Sequence, residues 1–415
     1  MGGTIGDIES MPFVEALRQL QLIVKRENFC IVHVSMVPIV GESNEQKTKP
    51  TQHSVKELRA LGLTPDFIVC RAKTPVERSS SEKISLFCNV PVENVLSIHD
   101  VPNIYRVPKL MIEQGFHKLL AKRLGINDIN LANWETNQDK VNWYNLLERI
   151  DQSKDVAVIA LVGKYTNLGD SYLSVISALK HSCISTNQKL VLEMVESSFL
   201  EKEAEHLHPE SYHEAWSKLK KSDGILVPGG FGIRGIEGKI EAIKYAREMK
   251  IPFLGICLGM QAAVIEYSRN MLGISGANSK EFSPDISDDQ SAIIFMPEGS
   301  KDQLGGTMRL GVRTTILREN SQALELYLNN RQVEERHRHR YEVNPNLVDR
   351  LEKGGLLFSG KDTSGNRMEV VELNKNTHPY FLAAQFHPEF NSRPLRPAPL
   401  FLGFLNAVKN LKKIA

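Results

Sequence analysis

Short apolar runs alternate with longer segments of helical periodicity along most of this 415-residue chain. The apolar runs predict strands at residues 29–37, 67–70, 95–98, 156–162, 190–195, 225–227, 252–256 and 381–384. Apolar residues at helical spacing predict helices at 11–24, 53–61, 82–88, 104–120, 240–249 and from about residue 260. Alternation of this kind is typical of an α/β fold with mainly parallel sheets.

The hydrophobic pattern weakens between residues 131 and 154, where Asn, Gln and charged residues become frequent. Such a shift in composition is typical of a segment that joins two domains. We therefore expect one domain at residues 1–130, a linker at 131–154 and a second domain at 155–412. A polar loop is expected at residues 41–52.

The segment 252–260 joins a short strand to a helix through Gly255-Ile256-Cys257-Leu258-Gly259. A nucleophile between two small residues at a strand-to-helix turn is typical of a nucleophile elbow. There the side chain is held in a strained backbone at the C-terminal edge of a parallel sheet, and the helix N-terminus favours the thiolate. A single Cys at a strand end is more often an inert core residue, so this hypothesis also needs a base.

A base is available after the predicted strand at 381–384, where the sequence continues Gln385-Phe386-His387-Pro388-Glu389. His387 and Glu389 are two residues apart, so on an extended segment both side chains point to the same side. Glu389 could fix the imidazole tautomer while the other ring nitrogen accepts the thiol proton. A solitary His here would more often be a surface residue, but the acid partner and the elbow favour a Cys-His-Glu triad.

Composition excludes some classes of function. Lys and Arg number 51 against 49 Asp and Glu, a formal net charge of +2, which gives no electrostatic reason to expect nucleic acid or a membrane as the main partner. The five cysteines are scattered, odd in number and lack metal-ligand spacing, so we expect reduced thiols, no metal site on cysteine and a cytoplasmic location. No apolar run approaches the ~18 residues of a membrane span, and the first residues lack a secretory signal pattern.

Three motifs together carry a resemblance to a known family. The stretches PGGFGIRG (228–235), GICLGMQ (255–261) and QFHPEF (385–390) resemble the glutaminase domain of class I glutamine amidotransferases. GGFGIRGIEGK and RHRHRYEVNP (336–345) narrow the resemblance to the CTP synthase family. It implies a flavodoxin-like glutaminase domain and, in residues 1–130, the C-terminal part of a Rossmann-like or P-loop-like amidoligase domain.

For the glutaminase half, the resemblance implies particular roles for residues around the elbow. The N–H groups of Gly230 and Leu258 are expected to form the oxyanion hole. Opposite charges are needed for the two ends of glutamine, which Glu281 and Arg340 could supply; a charge run such as 336–340 would otherwise be mostly solvated surface. The implied glutamine contacts are Gly230, Leu258, Gly259, Met260, Gln261, Glu281 and Arg340, and the implied GTP-responsive residues are Arg234, Thr307 and Arg309.

For the amidoligase half, the resemblance implies a UTP and CTP pocket. Lysine presents a compact charge with several donors, which suits nucleotide phosphates, although KTKPTQ alone could also be a solvated loop. Val101 matches a backbone contact to the ATP base. The implied pyrimidine-nucleotide residues are Asp7, Ile8, Glu9, Lys47, Thr48, Lys49, Pro50, Thr51, Gln52 and Lys83.

The implied reaction is that of a C–N ligase: amination of UTP to CTP with ATP and Mg²⁺, using ammonia from L-glutamine. The resemblance also implies activation by GTP, feedback inhibition by CTP and assembly into tetramers or filaments. The family's phosphate-binding glycine loop and acidic Mg²⁺ ligands would lie upstream of Met1, so we expect the synthetase half of this sequence to be incomplete.

Three hypotheses remain open. The chain could be a CTP synthase isoform or fragment, a glutaminase without synthase activity, or a non-catalytic subunit that joins full-length assemblies. Subunits of the GMP-synthase or anthranilate type share the triad, but neither explains KTKPTQ.

Overall fold

The computed structural model describes residues 4–41, 45–126, 137–164, 166, 169–296 and 308–414. The chain divides into two compact units, Met1–Leu147 and Glu148–Ala415. This boundary falls within the segment 131–154 that the sequence marks as a linker, although residues 131–136 lie outside the described ones. The domain limits themselves stay a prediction.

The N-terminal unit is built on a small parallel sheet in the order β1-β4-β5, beside a two-stranded antiparallel hairpin, β2-β3. Buried apolar residues such as Ile68 and Ile84 fill the space between this sheet and its helices. The elements are α1 (Met11–Val24), β1 (Val32–Met36), β2 (Ile39–Val40), β3 (Glu45–Gln46), α2 (Lys49–Ala60), β4 (Phe67–Ala72), α3 (Arg78–Cys88), β5 (Val95–His99), α4 (Val107–Glu113), α5 (Phe116–Arg123) and α6 (Gln138–Gln152).

The expected loop at 41–52 is wrong at its end, because α2 begins at Lys49. Pro50 lies in the first turn of this helix, where an absent N–H costs nothing and the fixed φ suits the helix. Lys49, Pro50, Thr51 and Gln52 are therefore helical residues. Residues 42–44 lie outside the described ones.

The C-terminal unit contains a nine-stranded sheet in the order β13-β12-β15-β16-β17-β9-β8-β6-β7 and a three-stranded sheet, β10-β11-β14. Its elements are β6 (Asp155–Gly163), α7 (Leu173–Ser185), β7 (Gln188–Glu196), α8 (Lys202–Leu207), α9 (Pro209–Lys221), β8 (Gly224–Val227), α10 (Ile236–Glu248), β9 (Phe253–Ile256), α11 (Leu258–Asn270), β10 (Asn278–Ser279), β11 (Ser291–Phe295), β12 (Arg309–Leu317), α12 (Gln322–Leu326), β13 (Gln332–His339), β14 (Tyr341–Val343), α13 (Pro345–Lys353), β15 (Leu356–Asp362), β16 (Met368–Leu373), β17 (Phe381–Ala384) and α14 (Pro399–Ile414).

Five neighbouring strands of the large sheet, β17-β9-β8-β6-β7, run parallel, and the four beyond β17 pair antiparallel. Helices cover the sheet with two separate apolar cores, one formed with α9, α10, α11 and α13 and the other with α7, α12 and α14. Burial on both faces explains the continuous apolar runs of the parallel strands. The α/β fold with mainly parallel sheets is confirmed.

No helix among the described residues combines the length and the apolar character needed to cross a bilayer.

Candidate active site

Three neighbouring parallel strands end at the same edge of the large sheet. Gly229 and Gly230 follow β8, Cys257 follows β9, and His387 comes three residues after the end of β17. Carboxyl ends of parallel strands lie on one side of a sheet, which is where ligands bind in α/β folds. The predicted nucleophile and the predicted base are therefore delivered to the same place from distant parts of the chain.

Cys257 lies in a sharp turn between β9 and α11, with φ 53° and ψ −102°. Positive φ strains a residue that carries a Cβ, and such strain concentrates at functional sites. The turn also requires its glycines, because a Cβ on Gly259 would lie 2.2 Å from the Val227 carbonyl oxygen and one on Gly255 would lie 2.8 Å from the Ala383 Cβ. Close packing therefore fixes the elbow.

The His387 ring lies between Glu389 and the cysteine. Its Nδ1 is 2.8 Å from Glu389 Oε1, and both side chains are largely buried. A Cβ on Gly229 would lie 2.9 Å from His387 Cε1 and 3.4 Å from Cys257 Cβ, so ring and cysteine approach the same glycine. Burial lowers the pKa of His387, but hydrogen bonds to Cys257 and Glu389 outweigh it and raise the pKa from 6.5 to about 10. The surroundings thus favour the protonated, imidazolium form of His387.

Gly230 and Leu258 lie next to each other beside the cysteine. A Cβ on Gly230 would be 3.5 Å from Leu258 Cδ2. Leu258 is the first residue of α11, and the first N–H groups of a helix have no acceptor within the helix. The two predicted oxyanion-hole residues are therefore neighbours at the edge of the site.

A cavity opens beside Cys257 and carries opposite charges. Glu281 is positioned by the Gly232 N–H, which donates to its Oε1 at 3.0 Å. Arg340 lines the same cavity. A molecule with one ammonium and one carboxylate would find a partner for each. The lining residues are Gly230, Phe231, Cys257, Gln261, Glu281, His339, Arg340 and Tyr341.

Cys257 also lines a second cavity, together with His387 and Glu389. The cysteine therefore lies between two openings, one lined by the charged pair and one lined by its base. Water could reach the base side without passing through the charged cavity.

Two glutamine side chains connect the elbow to the strands beside it. Gln385 Nε2 lies 3.5 Å from Cys257 Sγ, and Gln261 Nε2 donates to Gln385 Oε1 at 3.2 Å and to the Tyr341 carbonyl at 2.9 Å. Gln261, which is predicted to contact the substrate glutamine, does line the charged cavity, but its amide nitrogen is already used in these two hydrogen bonds within the fold. Sequence reasoning missed Gln385, although its position directly after a buried strand was a usable signal.

Sequence reasoning also treated most of 336–340 as solvated. In β13 the burial alternates, so that His337 and His339 are buried while Arg336 and Arg338 are exposed. The period-two pattern of RHRHR indicates a strand with one buried face, and this signal could have identified His339 as a lining residue.

The predicted GTP-responsive residues occupy different surroundings. Arg234 lies 3.6 Å from Glu196. Arg309 is the first residue of β12 and makes a 2.6 Å ion pair with the buried Glu369. Thr307 lies outside the described residues.

In the N-terminal unit, Lys47, Lys49 and Lys83 lie near one another, and we call them the lysine cluster. Lys47 Nζ donates to Glu45 at 2.7 Å; this hydrogen bond lowers the pKa of Glu45, and the Lys83 charge adds to the effect. Lys49 Nζ lies over the Phe87 ring, 5.4 Å from its centroid, on the helix that carries Lys83. Two of the three lysines are exposed and Lys47 is half-exposed.

The other residues predicted to bind nucleotides either make hydrogen bonds within the fold or are exposed. Thr48 accepts from Gln52 Nε2 at 3.0 Å, and the buried Thr51 hydroxyl accepts from Ser35 at 3.0 Å, so these side chains are partly used within the fold. Asp7 accepts the Thr4 N–H at 3.1 Å in a turn before α1, beside the exposed Ile8 and Glu9. Val101 follows β5 at intermediate exposure.

Comparison with known proteins adds two domain matches. Residues 1–126 match the CTP synthase N-terminus, and residues 167–407 match glutamine amidotransferase class-I. The chain is 53% identical over 408 residues to CTP synthase 1-A of Xenopus laevis, which covers 98% of this chain and 68% of that protein. It is 53% identical over 412 residues to CTP synthase 2 of Homo sapiens, with the same coverage of 98% and 68%.

A solved structure is similar as well. The glutaminase domain of Trypanosoma brucei CTPS, determined with bound acivicin, is 40% identical with a TM-score of 0.54, covering 61% of this chain and 94% of that one.

Proposed function

The chain belongs to the CTP synthase family, as its motifs predict, and we propose that Cys257, His387 and Glu389 release ammonia from L-glutamine for CTP synthesis. Members of this family are enzymes that aminate UTP to CTP with ATP, and they combine a synthetase N-terminus with a glutamine-hydrolysing amidotransferase domain.

One observation carries the proposal. Cys257 is held at positive φ against Gly229, where the ring of His387 also packs, and Glu389 lies 2.8 Å from that ring. A nucleophile, a base and an orienting acid in this order can perform acyl transfer on an amide.

In the first half of the reaction, the Cys257 thiolate attacks the side-chain carbonyl carbon of glutamine and a C–S bond forms. The carbonyl π electrons move to oxygen, and the N–H groups of Gly230 and Leu258 stabilise the resulting oxyanion. The His387 imidazolium then gives its proton to the amide nitrogen, the C–N bond breaks and ammonia leaves.

In the second half, neutral His387 accepts a proton from water, and the hydroxide attacks the thioester carbon. The C–S bond breaks, glutamate leaves and the Cys257 thiolate returns beside the imidazolium. Glu389 stabilises the charged ring in both halves without accepting its proton.

Binding of glutamine is assigned to the charged cavity. Glu281 would pair with the α-ammonium and Arg340 with the α-carboxylate, because each offers the opposite charge within the cavity that Cys257 lines. Gln261, together with Gly259 and Met260 at the start of α11, would shape the wall beside the reacting amide.

For the synthetase half, we propose that the lysine cluster binds the phosphates of UTP or CTP, with Thr48, Thr51 and Gln52 beside it. Three ammonium groups, two at or just before the start of α2 and one in the middle of α3, can offset much of a triphosphate's charge. ATP and Mg²⁺ serve this half in the family. No group of three His, Cys, Asp or Glu side chains among the described residues is arranged to hold a metal ion.

Regulation and assembly follow the family in our proposal: GTP acts near Arg234, CTP competes with UTP, and the chain joins a tetramer or filament. A reducing compartment such as the cytoplasm is also proposed, because the Cys257 thiol must stay unoxidised to act as a nucleophile.

Glutamate release from L-glutamine tests the proposal. Cys257→Ala should reduce it by at least about a thousand-fold, because the nucleophile has no substitute, whereas Cys30→Ala should leave it unchanged. Glutamate release that survives Cys257→Ala would contradict the proposed mechanism. CTP formation, measured in the same samples with UTP and ATP, separates a complete synthase from a chain that only supplies ammonia.

A further inference from the structure

Lys239 is a fully buried lysine on α10 that the mechanism above does not use. Its Nζ has no hydrogen-bond partner among the residues that the structure describes. Burying an ammonium group without an acceptor is costly, so a purely structural position would favour an apolar side chain. The position of the charge therefore needs an explanation.

The Lys239 side chain ends directly behind the proposed oxyanion hole. A Cβ on Gly230 would lie 3.7 Å from Lys239 Nζ and 3.5 Å from Leu258 Cδ2, so the amine lies next to the two residues whose N–H groups are assigned to the oxyanion. Lys239 is not among the described residues that line either cavity. Its side chain is therefore not part of the walls of these two cavities.

A second lysine holds the adjoining loop from another strand. Lys164, at the end of β6, donates its Nζ to the carbonyl of Phe231 at 2.8 Å and also to that of Gly232. The loop that follows Gly230 is thus already held by hydrogen bonds from Lys164. Lys239 makes no such hydrogen bond among the described residues, so holding this loop does not explain its buried charge.

The charged groups around Lys239 come from three elements. Burial, together with the Lys164 charge, lowers the pKa of Lys239 from 10.5 to about 7, although Cys257, directly before α11, and Glu196, at the end of β7, oppose this shift. A Cβ on Gly229 would lie 3.4 Å from Cys257 Cβ and one on Gly230 would lie 3.7 Å from Lys239 Nζ, so the cysteine and the amine approach adjacent glycines. Opposite charges on the two side chains would attract each other there.

We propose that Lys239 is a positioning residue for the glutaminase reaction, whose positive charge behind Gly230 stabilises the Cys257 thiolate and the oxyanion formed from it. This inference rests on the proposed function. In a buried, low-dielectric setting the protonated amine acts over several ångströms without contact, and below about pH 7 its charge is in place before negative charge develops.

The reactivity of the cysteine tests this directly. Iodoacetamide alkylates the thiolate, so the rate of Cys257 modification against pH, followed by mass spectrometry of the full chain, reports the thiolate population. Lys239→Met keeps the length and removes the charge, and it should move the midpoint of this profile upward by about one pH unit. Lys244→Met, a half-buried lysine on the same helix, is the matched control and should leave the midpoint in place.

Turnover and stability should change in opposite directions. Lys239→Met should lower kcat for glutamate release by about ten-fold with KM for glutamine within about two-fold, because the charge acts on the transition state.

The same substitution should raise Tm by several degrees, since it removes a buried charge. The pKa of Lys239 is 10.5 in the unfolded chain and about 7 in the folded protein, so between these two pH values the side chain must lose its proton on folding. The gain in Tm on replacing Lys239 is therefore full below pH 7 and disappears as the pH rises toward 10.5.

An unchanged alkylation midpoint in Lys239→Met, or a lower Tm with unchanged kcat, would overturn the proposal in favour of a space-filling role. Lys239→Gln should also shift the midpoint of the alkylation profile upward, and it replaces Lys239→Met in this test if the Met variant does not fold. If the unaltered protein releases no glutamate, the proposed function fails, but the alkylation profile still decides whether Lys239 supports the thiolate.

Discussion

The candidate active site and the lysine cluster differ first in burial. Cys257 is 3% exposed and the His387 side chain 13%, whereas the Lys47 side chain is 42% exposed and pairs with an exposed Glu45. Close contacts with glycines and carbonyls fix the triad within a narrow range of positions. Solvated lysine chains have many rotamers of similar energy, so the fold alone does not fix them.

This difference predicts how each region responds to change. In the active site, small displacements should cause large losses, because the reacting groups must meet at fixed distances. In the lysine cluster, each charge should contribute a small and partly replaceable share, because exposed charges are screened by water and salt.

The largest effect is expected for the base. His387→Ala should lower kcat/KM for glutamate release by at least about a thousand-fold, since proton transfer to the departing ammonia is lost. His206→Ala removes an exposed histidine of α8 and should have no effect. Comparable activity in the two variants would remove His387 from the mechanism.

A single methyl group should disrupt the same contact. Gly229→Ala places a Cβ 2.9 Å from His387 Cε1, so the ring must move, and kcat should fall by about a hundred-fold. Circular dichroism and thermal unfolding should show that the fold is retained. Full activity of a folded Gly229→Ala protein would mean that the distance between the ring and the cysteine is not critical.

Glu389→Gln keeps the size of the side chain and removes its charge. We expect kcat to fall about thirty-fold, less than for the base, because a thiolate is a strong nucleophile that needs less help from an orienting acid. The pKa of His387, followed by NMR, should be lower in this variant than in the unaltered protein, because the hydrogen bond and the charge of Glu389 both raise it.

The same variant makes a prediction for stability. Because the fold raises the pKa of His387 from 6.5 to about 10, its protonated form stabilises the fold fully below pH 6.5, and this contribution is lost as the pH rises through 10. Glu389→Gln should therefore be less stable than the unaltered protein at pH 6, and the difference in Tm should close by about pH 10. A difference that grows with pH would contradict the assigned charge state.

Substrate binding should respond more moderately. Glu281→Gln retains a group that can accept the Gly232 N–H but no longer attracts the ammonium of glutamine. We expect KM for glutamine to rise about ten-fold with little change in kcat. Asp288→Asn removes a nearby but 88% exposed carboxylate and serves as the control.

The smallest effect is expected in the lysine cluster. Lys49→Ala should weaken UTP or CTP binding by about three-fold, measured by calorimetry at low salt, because an exposed ammonium adds little to phosphate binding. Lys56→Ala, an exposed lysine farther along α2, should not change the affinity. Equal affinities in the two variants would count against this pocket.

Much of the fold could be predicted from the sequence because buried strands and amphipathic helices have strong local patterns. The predicted helix at 11–24 and strand at 381–384 coincide with Met11–Val24 and Phe381–Ala384. The start of α2 was predicted four residues too late, because the polar residues Lys49 to Gln52 and the early proline hid a first helical turn.

The sequence alone identified the motifs of the candidate active site and the family to which they belong. These motifs are a cysteine between glycines at a strand-to-helix turn, and a His and a Glu two residues apart after another strand. Such signals are local, because the backbone conformation of a sharp turn restricts which residues can occupy it.

Only the tertiary structure decided which side chains surround that chemistry. The buried Lys239, the contact of Gln385 with the sulfur and the placement of His339 in the cavity wall depend on β8, β9, β13 and β17 meeting in one unit. These contacts join residues that are far apart in the chain, and no local pattern encodes them because burial and charge pairing are set by packing between elements.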